Sequence, residues 1–588
     1  MSRRALTNCA PWVGMLFAAS ACAGAEPAPW DRPDDSAATP VLVEIRLDAA
    51  PVEGGAFDPF DRSQVSVLDV VSRIATVREA PEARGLFVRL GPMHAAWARV
   101  LDLAEAFALL RAAGKPVHCH FDVLDNAGYL LAARACNRIS MSPAGELALV
   151  GPSMHVFYAR SLLQTLGIEA DLVQVGRYKG AADPLTRDRM PEETRESLGA
   201  LLDALLRTLL DALGDGRGLE ADRARALLDE GPFDAASALE AGLVDGVQFD
   251  DAARETARRA VSADRVRTLR LAPEAGSLDL AELLEALSGE SGARAPRGPR
   301  IALMHLTDVI TDDEAQGPES GRAGPFVRAA RRLADDEDVR AVVLRVDSPG
   351  GSAIASDRMW HAVHLLAQRK PVIVSVGDMA ASGGYYVASA GTEILAHPTS
   401  LVGSIGVVGG KLVVGSLVER IGLHVEVLAR GRRAAYASAV RGFTPEERAW
   451  IERSVRRTYD RFVERVARSR RLPRQQVLAA ADGRLHDGEA ARRAGLVDSL
   501  GGLREALHRA RTRANLPPDA PIEQWPARRT LLEALAGRFS ESESETLLRL
   551  ASEGSALVPV RRSARSLMAL GRGHEHVLLA LPFGLLVR

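Results

Sequence analysis

The sequence predicts an α/β protein built from two tandem copies of one domain, and three observations carry that expectation. Short β-rich apolar runs alternate with stretches of helical period, as in parallel βαβ units. The chain matches itself at a near-constant spacing. Its 588 residues, 47% apolar, 26% charged and 5% aromatic, are ordinary for a globular protein and exclude wholesale disorder or a collagen-like repeat. That length allows about four domains, or two large ones. A formal net charge of −2 gives no electrostatic case for nucleic acid or an anionic membrane as partner.

From the N-terminus, Met1 to Trp30 reads as a targeting leader: Arg3 and Arg4, an apolar stretch from Ala10 to Ala21, then small residues. Ala19-Ser20-Ala21 fits a signal-cleavage site, and Cys22 follows directly. The same segment resembles a lipobox with Ala19 where Leu is preferred, so Cys22 is a lipidation candidate beside plain cleavage. Export is the expected outcome of either. With Cys9 and Cys22 in the leader, Cys119 and Cys136 remain, too few to define a disulfide framework.

The first domain is placed at 40–285 and the second at 301–512. Gly114-Lys115-Pro116-Val117 matches Arg369-Lys370-Pro371-Val372, and Asp122 to Ala132 matches Asp378 to Ala388. Gly176-Arg177 matches Gly431-Arg432, Pro191-Glu192-Glu193 matches Pro445-Glu446-Glu447, and AGLVD at Ala241 recurs at Ala494. The shifts run only from 253 to 256 residues. The seam, 286–300, contains the Gly/Pro/Ser/Arg stretch Ser288 to Pro299, suited to a linker. In the second copy Ala341 to Val346 reads as a buried strand, Ile354 to Ala367 as a helix, and Val372 to Val376 as a strand. A glycine-containing turn, a short helix over Ser382 to Ala390 and a strand at Ile394 to Ala396 follow. A tail, 513–588, holds a short amphipathic stretch at Arg529 to Phe539 and an apolar end, Val577 to Val587, too short to span a bilayer.

Two glycine-rich turns stand at the C-terminal ends of these strands, where ligand sites collect in parallel sheets. Asp378 to Tyr386 (DMAASGGYY) puts Ser382 at a strand-to-helix junction, either as a nucleophile or as a helix cap. Asp347 to Ser352 (DSPGGS) could supply oxyanion-hole amides or be a plain turn. A serine nucleophile needs a base, and the 13 histidines offer no Ser-His-Asp pattern or G-x-S-x-G elbow. His361 and His364 read as solvated or packed helix positions. His118 and His120 flank Cys119 without further ligands, so neither a metal nor any other cofactor is expected.

Lysine is the better source of a base. Of 74 basic residues only Lys115, Lys179, Lys370 and Lys411 are lysines, so each asks what arginine could not do. Lys179 lies among small residues in GRYKGAADP, and a desolvated lysine can be neutral near neutral pH where arginine stays charged. The repeat matches Ser382 to Asn126 and Lys179 to Ala434: one copy has the lysine without the serine, the other the serine without the lysine. Reciprocal losses of this kind suggest one composite site across the domain interface.

These motifs resemble the signal peptide peptidase A (protease IV) family in its long, tandem-domain form, from about residue 40 to 512. The most specific are DSPGG at Asp347 to Gly351, MAASGGYY at Met379 to Tyr386, GSIGV at Gly403 to Val407 and GRYKGAADPLTRDRM at Gly176 to Met190. The resemblance implies two tandem Clp protease/crotonase-like βαβ spiral domains and a Ser-Lys dyad. Ser382 would be the nucleophile, Lys179 the general base and Ser404 the hydroxyl that orients the lysine. Gly383, with Gly350 or Gly351, would hold the oxyanion. It also implies peptide substrates such as cleaved signal peptides, no cofactor, a homo-oligomer, usually a tetramer, and a place on the outer face of a bacterial membrane. Two departures stand out: Gly180 replaces the family's serine after the lysine, and Pro92 to Trp97 lacks a DSPGG-like turn. The rival readings are a crotonase-like acyl-CoA enzyme and a degenerate peptide-binding scaffold.

Overall fold

The computed structural model describes residues 39–54, 65–94, 97–271, 296, 298–312 and 319–526, with the backbone of 577–579 and 586–587. The leader with Cys22, most of the seam and Arg529 to Phe539 lie outside the described residues.

Two parallel-rich sheets form the two halves. The first runs, in spatial order, Phe233–Asp234, Arg138–Ala148, Val117–Asp125, Ala83–Leu90, Val41–Leu47 and Arg265–Thr268. The second repeats this order with Leu485–His486, Leu401–Gly403, Val372–Ala381, Val339–Ser348, Arg300–Thr307 and Ile522–Trp525. Its edge strand Ile522–Trp525 lies beyond the expected boundary at 512. The central strands are apolar on both faces because helices cover each side: Val342, Val343, Val346, Val372, Ile373 and Val374 have no exposed surface. Strand Val372–Ala381 runs five residues past the sequence-based end at Val376, carrying the chain to the serine.

The duplication is visible in single contacts. Lys115 Nζ donates to the carbonyls of Val77 and Ala80 at the end of helix Val67–Glu79. Its counterpart Lys370 donates to Leu333 and Asp336 at the end of helix Ala323–Asp335. Lysine cations here cap helix C-terminal carbonyls. The third, Lys411, donates to the carbonyls of Tyr436 and Ser438.

A third sheet joins the halves. Glu169–Val175 of the first pairs antiparallel with Val407–Val413 of the second, in register from Val175↔Val407 to Glu169↔Val413. On its other side Val407–Val413 pairs with Val577–Leu579 from the tail, which also pairs with Gly351–Ser352. Helix Glu192–Arg217 adds Leu198 and Leu201 against Ala381 and Leu485 of the second half. No helix among the described residues is long and apolar enough to cross a membrane.

Beneath this lies a buried ionic cluster. Arg345, fully buried, binds Glu53 and Asp102 of the first half and Ser375 Oγ at 2.8 Å. Asp102 also accepts from Leu503 N at 2.7 Å and lies 3.0 Å from His397 Nε2. Nearby, Asp378 accepts from Ala98 N and Arg99 Nε at 2.9 and 2.7 Å. In the first half Cys119, on its strand, and Cys136, just past helix Asn126–Ala135, form a disulfide, a pairing characteristic of oxidising compartments.

Candidate active site

Strand Val372–Ala381 delivers Ser382 to the mouth of the second sheet, and helix Gly383–Ala388 leaves from it. Ser382 has φ 54° and ψ −114°, a conformation that costs a non-glycine residue energy and recurs at functional sites. Its hydroxyl does not cap the helix. Its amide donates to Gly403 O at 2.7 Å, which ties it to the GSIGV segment.

The lysine arrives from the other half. Past Val175 the first-half strand ends and the turn Gly176 to Lys179 follows, with Lys179 N donating to Gly176 O at 3.1 Å. Because Val175 faces Val407 in an antiparallel pair, the chain beyond 175 passes the residues just before 407. Lys179 Nζ therefore lies 2.7 Å from Ser382 Oγ, 2.9 Å from Ser404 Oγ and 2.9 Å from Ser404 O. All three residues are buried, at 0%, 0% and 1% exposure. Burial without an ionic partner pushes the Lys179 amine down to about 7, so a large fraction is neutral near neutral pH. Ser404, like Ser382, has a positive φ, 51°.

Of the expected oxyanion donors, Gly383 is the first helical residue, whose amide has no partner within the helix. Gly350, at φ 97°, donates its N–H to Ser348 Oγ at 3.2 Å, so that amide is engaged. Gly351 packs so tightly on the Ile310 carbonyl that a Cβ would stand 1.9 Å from it. The departure at Gly180 has a steric cause: a Cβ there would meet Thr194 Oγ1 at 2.7 Å, and that hydroxyl donates to Asp183.

The counterpart positions hold no second site. Asn126 accepts from Val150 N and Gly151 N, both at 3.1 Å, and donates to Gly151 O at 3.0 Å, clasping a loop while Asp125 caps the helix. Ala434 repeats the lysine's turn, donating its N–H to Gly431 O at 3.2 Å, but is exposed. His364 stacks on Trp360, and no cluster of His, Cys, Asp or Glu among the described residues could hold a metal.

Sequence reading overlooked the Glu53–Arg345–Asp102 cluster and the turn Asp482–Gly483–Arg484, which packs against the lysine segment. The first left a signal, an arginine inside the apolar run AVVLRV. The second left none, being a short surface-type tripeptide.

A family model described as peptidase family S49 matches residues 109–264 and 364–517. Protease 4 of Salmonella typhi is 30% identical over 482 residues, 78% of this chain and 73% of that protein. The chloroplastic serine protease SPPA of Arabidopsis thaliana is 29% identical over 494 residues, 83% and 70% of the two chains. Protease 4 of Haemophilus influenzae is 28% identical over 472 residues, 79% and 75%.

Proposed function

Since this chain belongs to peptidase family S49, we propose that it is a serine endopeptidase working through a dyad of Ser382 and Lys179 drawn from its two halves. The observation that carries this reading is the 2.7 Å approach of Lys179 Nζ to Ser382 Oγ inside a buried pocket. Neutral Lys179 takes the hydroxyl proton as Ser382 attacks a peptide carbonyl. Collapse of the tetrahedral adduct breaks the C–N bond as Lys179 protonates the leaving amine, and an acyl-enzyme remains; Lys179, neutral again, deprotonates the water that attacks the ester and returns that proton to the departing Ser382 oxygen. Ser404 holds Nζ through both its carbonyl and its hydroxyl, and Gly383 N–H is the nearest backbone donor along the chain for the oxyanion. The substrates are apolar peptides such as cleaved signal peptides, met outside the cytoplasm; the leader residues and the Cys119–Cys136 disulfide support that compartment.

The test is a fluorophosphonate probe together with peptide hydrolysis. Ser382→Ala abolishes both while the protein stays folded, and Lys179→Arg, which keeps the charge and loses the basicity, does the same to turnover. Turnover that survives either substitution removes the dyad.

A further inference from the structure

The lysine is held by more than the two serines, and its other support comes from the opposite half. Tyr178 N donates to Asp482 O at 2.8 Å, and Ser404 N donates to Arg484 O at 2.8 Å. One tripeptide thus grips both the lysine segment and the residue that orients the lysine. Between those two bonds sits Gly483, at φ 95°. A Cβ on it would stand 2.5 Å from Lys179 N and 2.7 Å from Lys179 Cβ. The lysine segment answers with a glycine of its own. A Cβ on Gly176, at φ 113°, would come within 3.0 Å of Asp482 O and 3.2 Å of Gly483 Cα. The two backbones meet through a pair of positive-φ glycines, and at Gly483 an added Cβ would displace the lysine.

The tripeptide is itself braced. Asp482 Oδ1 accepts from Arg484 N at 3.2 Å and Asp482 Oδ2 from Arg484 Nε at 2.8 Å. The Arg484 guanidinium lies 4.0 Å from the centre of the Tyr178 ring. Immediately after it, Leu485 N donates to Ser197 Oγ of the first half at 3.3 Å, and Leu485–His486 pairs with Leu401–Gly403. The charged groups around the lysine are matched among themselves: Asp482 with Arg484, Arg484 and the Tyr178 hydroxyl with Glu196, Arg177 with Glu193, and Asp183 with Arg187, while burial pushes the neighbouring His486 imidazole down. Water exclusion by close packing, rather than a neighbouring charge, governs the amine.

We infer that the turn Asp482–Gly483–Arg484 is the positioning element for Lys179, with Gly483 the residue that lets it press directly on the lysine's backbone. This rests on Lys179 being the proton acceptor. A side chain at 483 pushes the lysine segment away from Ser382 and admits water to Nζ, so the amine returns toward its ordinary, more basic value. Loss of the Asp482 carboxylate loosens the same turn without adding an atom.

The test measures the second-order rate of fluorophosphonate labelling of Ser382 against pH, in the full chain. It compares the parent protein with Gly483→Ala, Asp482→Ala and, as a control for strain alone, Gly495→Ala, a positive-φ glycine (77°) against Leu472 and Gln476. The control keeps the parent midpoint. Gly483→Ala moves it upward by about one pH unit or more, and Asp482→Ala moves it the same way by less. Should Gly483→Ala fail to fold, Asp482→Ala decides, and an unmoved midpoint overturns the inference. So does a shift in Gly495→Ala equal to that in Gly483→Ala. A parent protein whose labelling does not respond to pH overturns the proton-acceptor reading as well, whereas a normal parent profile with unmoved turn variants overturns this inference alone.

Discussion

Val175 and Val407 lie opposite each other at the end of an antiparallel strand pair whose two members come from different halves of the chain. That register, more than any single side chain, makes the site. It runs the first half's turn past the second half's GSIGV segment and leaves Lys179 and Ser382 in contact although 203 residues separate them.

The first prediction concerns pH. If Lys179 is the proton acceptor proposed above, activity needs its neutral form, and burial holds that amine at about 7. Labelling of Ser382 and kcat/KM therefore rise with pH, reach half their limit at about 7 and level off above it, falling about tenfold per unit on the acid side. A limb centred on the ordinary lysine value, about 10.4, would show an amine in free contact with water.

The second prediction follows from the same burial, which costs the folded state stability. Unfolded, the amine is charged up to about pH 10.4; folded, it sheds its proton at about 7. The folded state is therefore penalised as pH falls from 10 toward 7, and the penalty is complete below the folded midpoint. Lys179→Met, which under the proposed dyad abolishes activity, raises folding stability at neutral pH by a few kcal/mol, on the order of the cost of burying such a group. Thermal unfolding across this range checks it: the gain over the parent shrinks as the pH approaches 10. A less stable Met variant would mean the pocket favours the ammonium.

What the sequence made legible was what repeats or punctuates. The 255-residue shift exposed the two halves because duplicated strands keep their apolar runs, and Lys115 and Lys370 still cap equivalent helices. Lys179 and Ser382 stood out because their counterparts, Ala434 and Asn126, break the repeat. Long-range partners left no such mark. The pairing of Glu169–Val175 with Val407–Val413 depends on how two finished halves dock, and nothing local encodes it. Strand Ile522–Trp525 was hidden because an edge strand is short and half-exposed, and Cys119 meets Cys136 only once strand and helix have formed.

The third prediction concerns docking of the halves. Burial alone would raise Asp102, but Arg345 and His397 outweigh it and hold its carboxyl well below the usual carboxylate range. Burial pushes His397 down, and Asp102 more than reverses this, so the imidazole is raised. Asp102 contributes stability above the ordinary carboxylate range and loses it as pH falls. His397 contributes below its ordinary value and loses it as pH rises through the folded one. The pair thus stabilises most between roughly pH 4 and 6.5. Arg345→Met leaves Glu53 buried without its guanidinium and Asp102 with His397 alone, and costs about 3–5 kcal/mol. Chemical denaturation reads the loss, and Ser382 labelling falls with it because Lys179 and Ser382 belong to opposite sides of that joint.

The fourth prediction asks whether the first half can regain a site of its own. Asn126 occupies the place that Ser382 holds in the second copy, and introducing the hydroxyl with Asn126→Ser in a Ser382→Ala background is the direct trial. The side chain of Asn126 bonds Val150 and Gly151, and the four lysine amines are engaged elsewhere: Lys179 with Ser404 and Ser382, Lys115 with Val77 and Ala80, Lys370 with Leu333 and Asp336, and Lys411 with Tyr436 and Ser438. The three hydrogen bonds of the Asn126 amide to Val150 and Gly151 are lost in part, at about 1–3 kcal/mol. The double variant therefore gives no fluorophosphonate labelling and unfolds at lower denaturant than Ser382→Ala alone. Labelling at position 126 would mean that a hydroxyl on this turn is activated without the amine, and that the strained turn rather than the lysine supplies the reactivity.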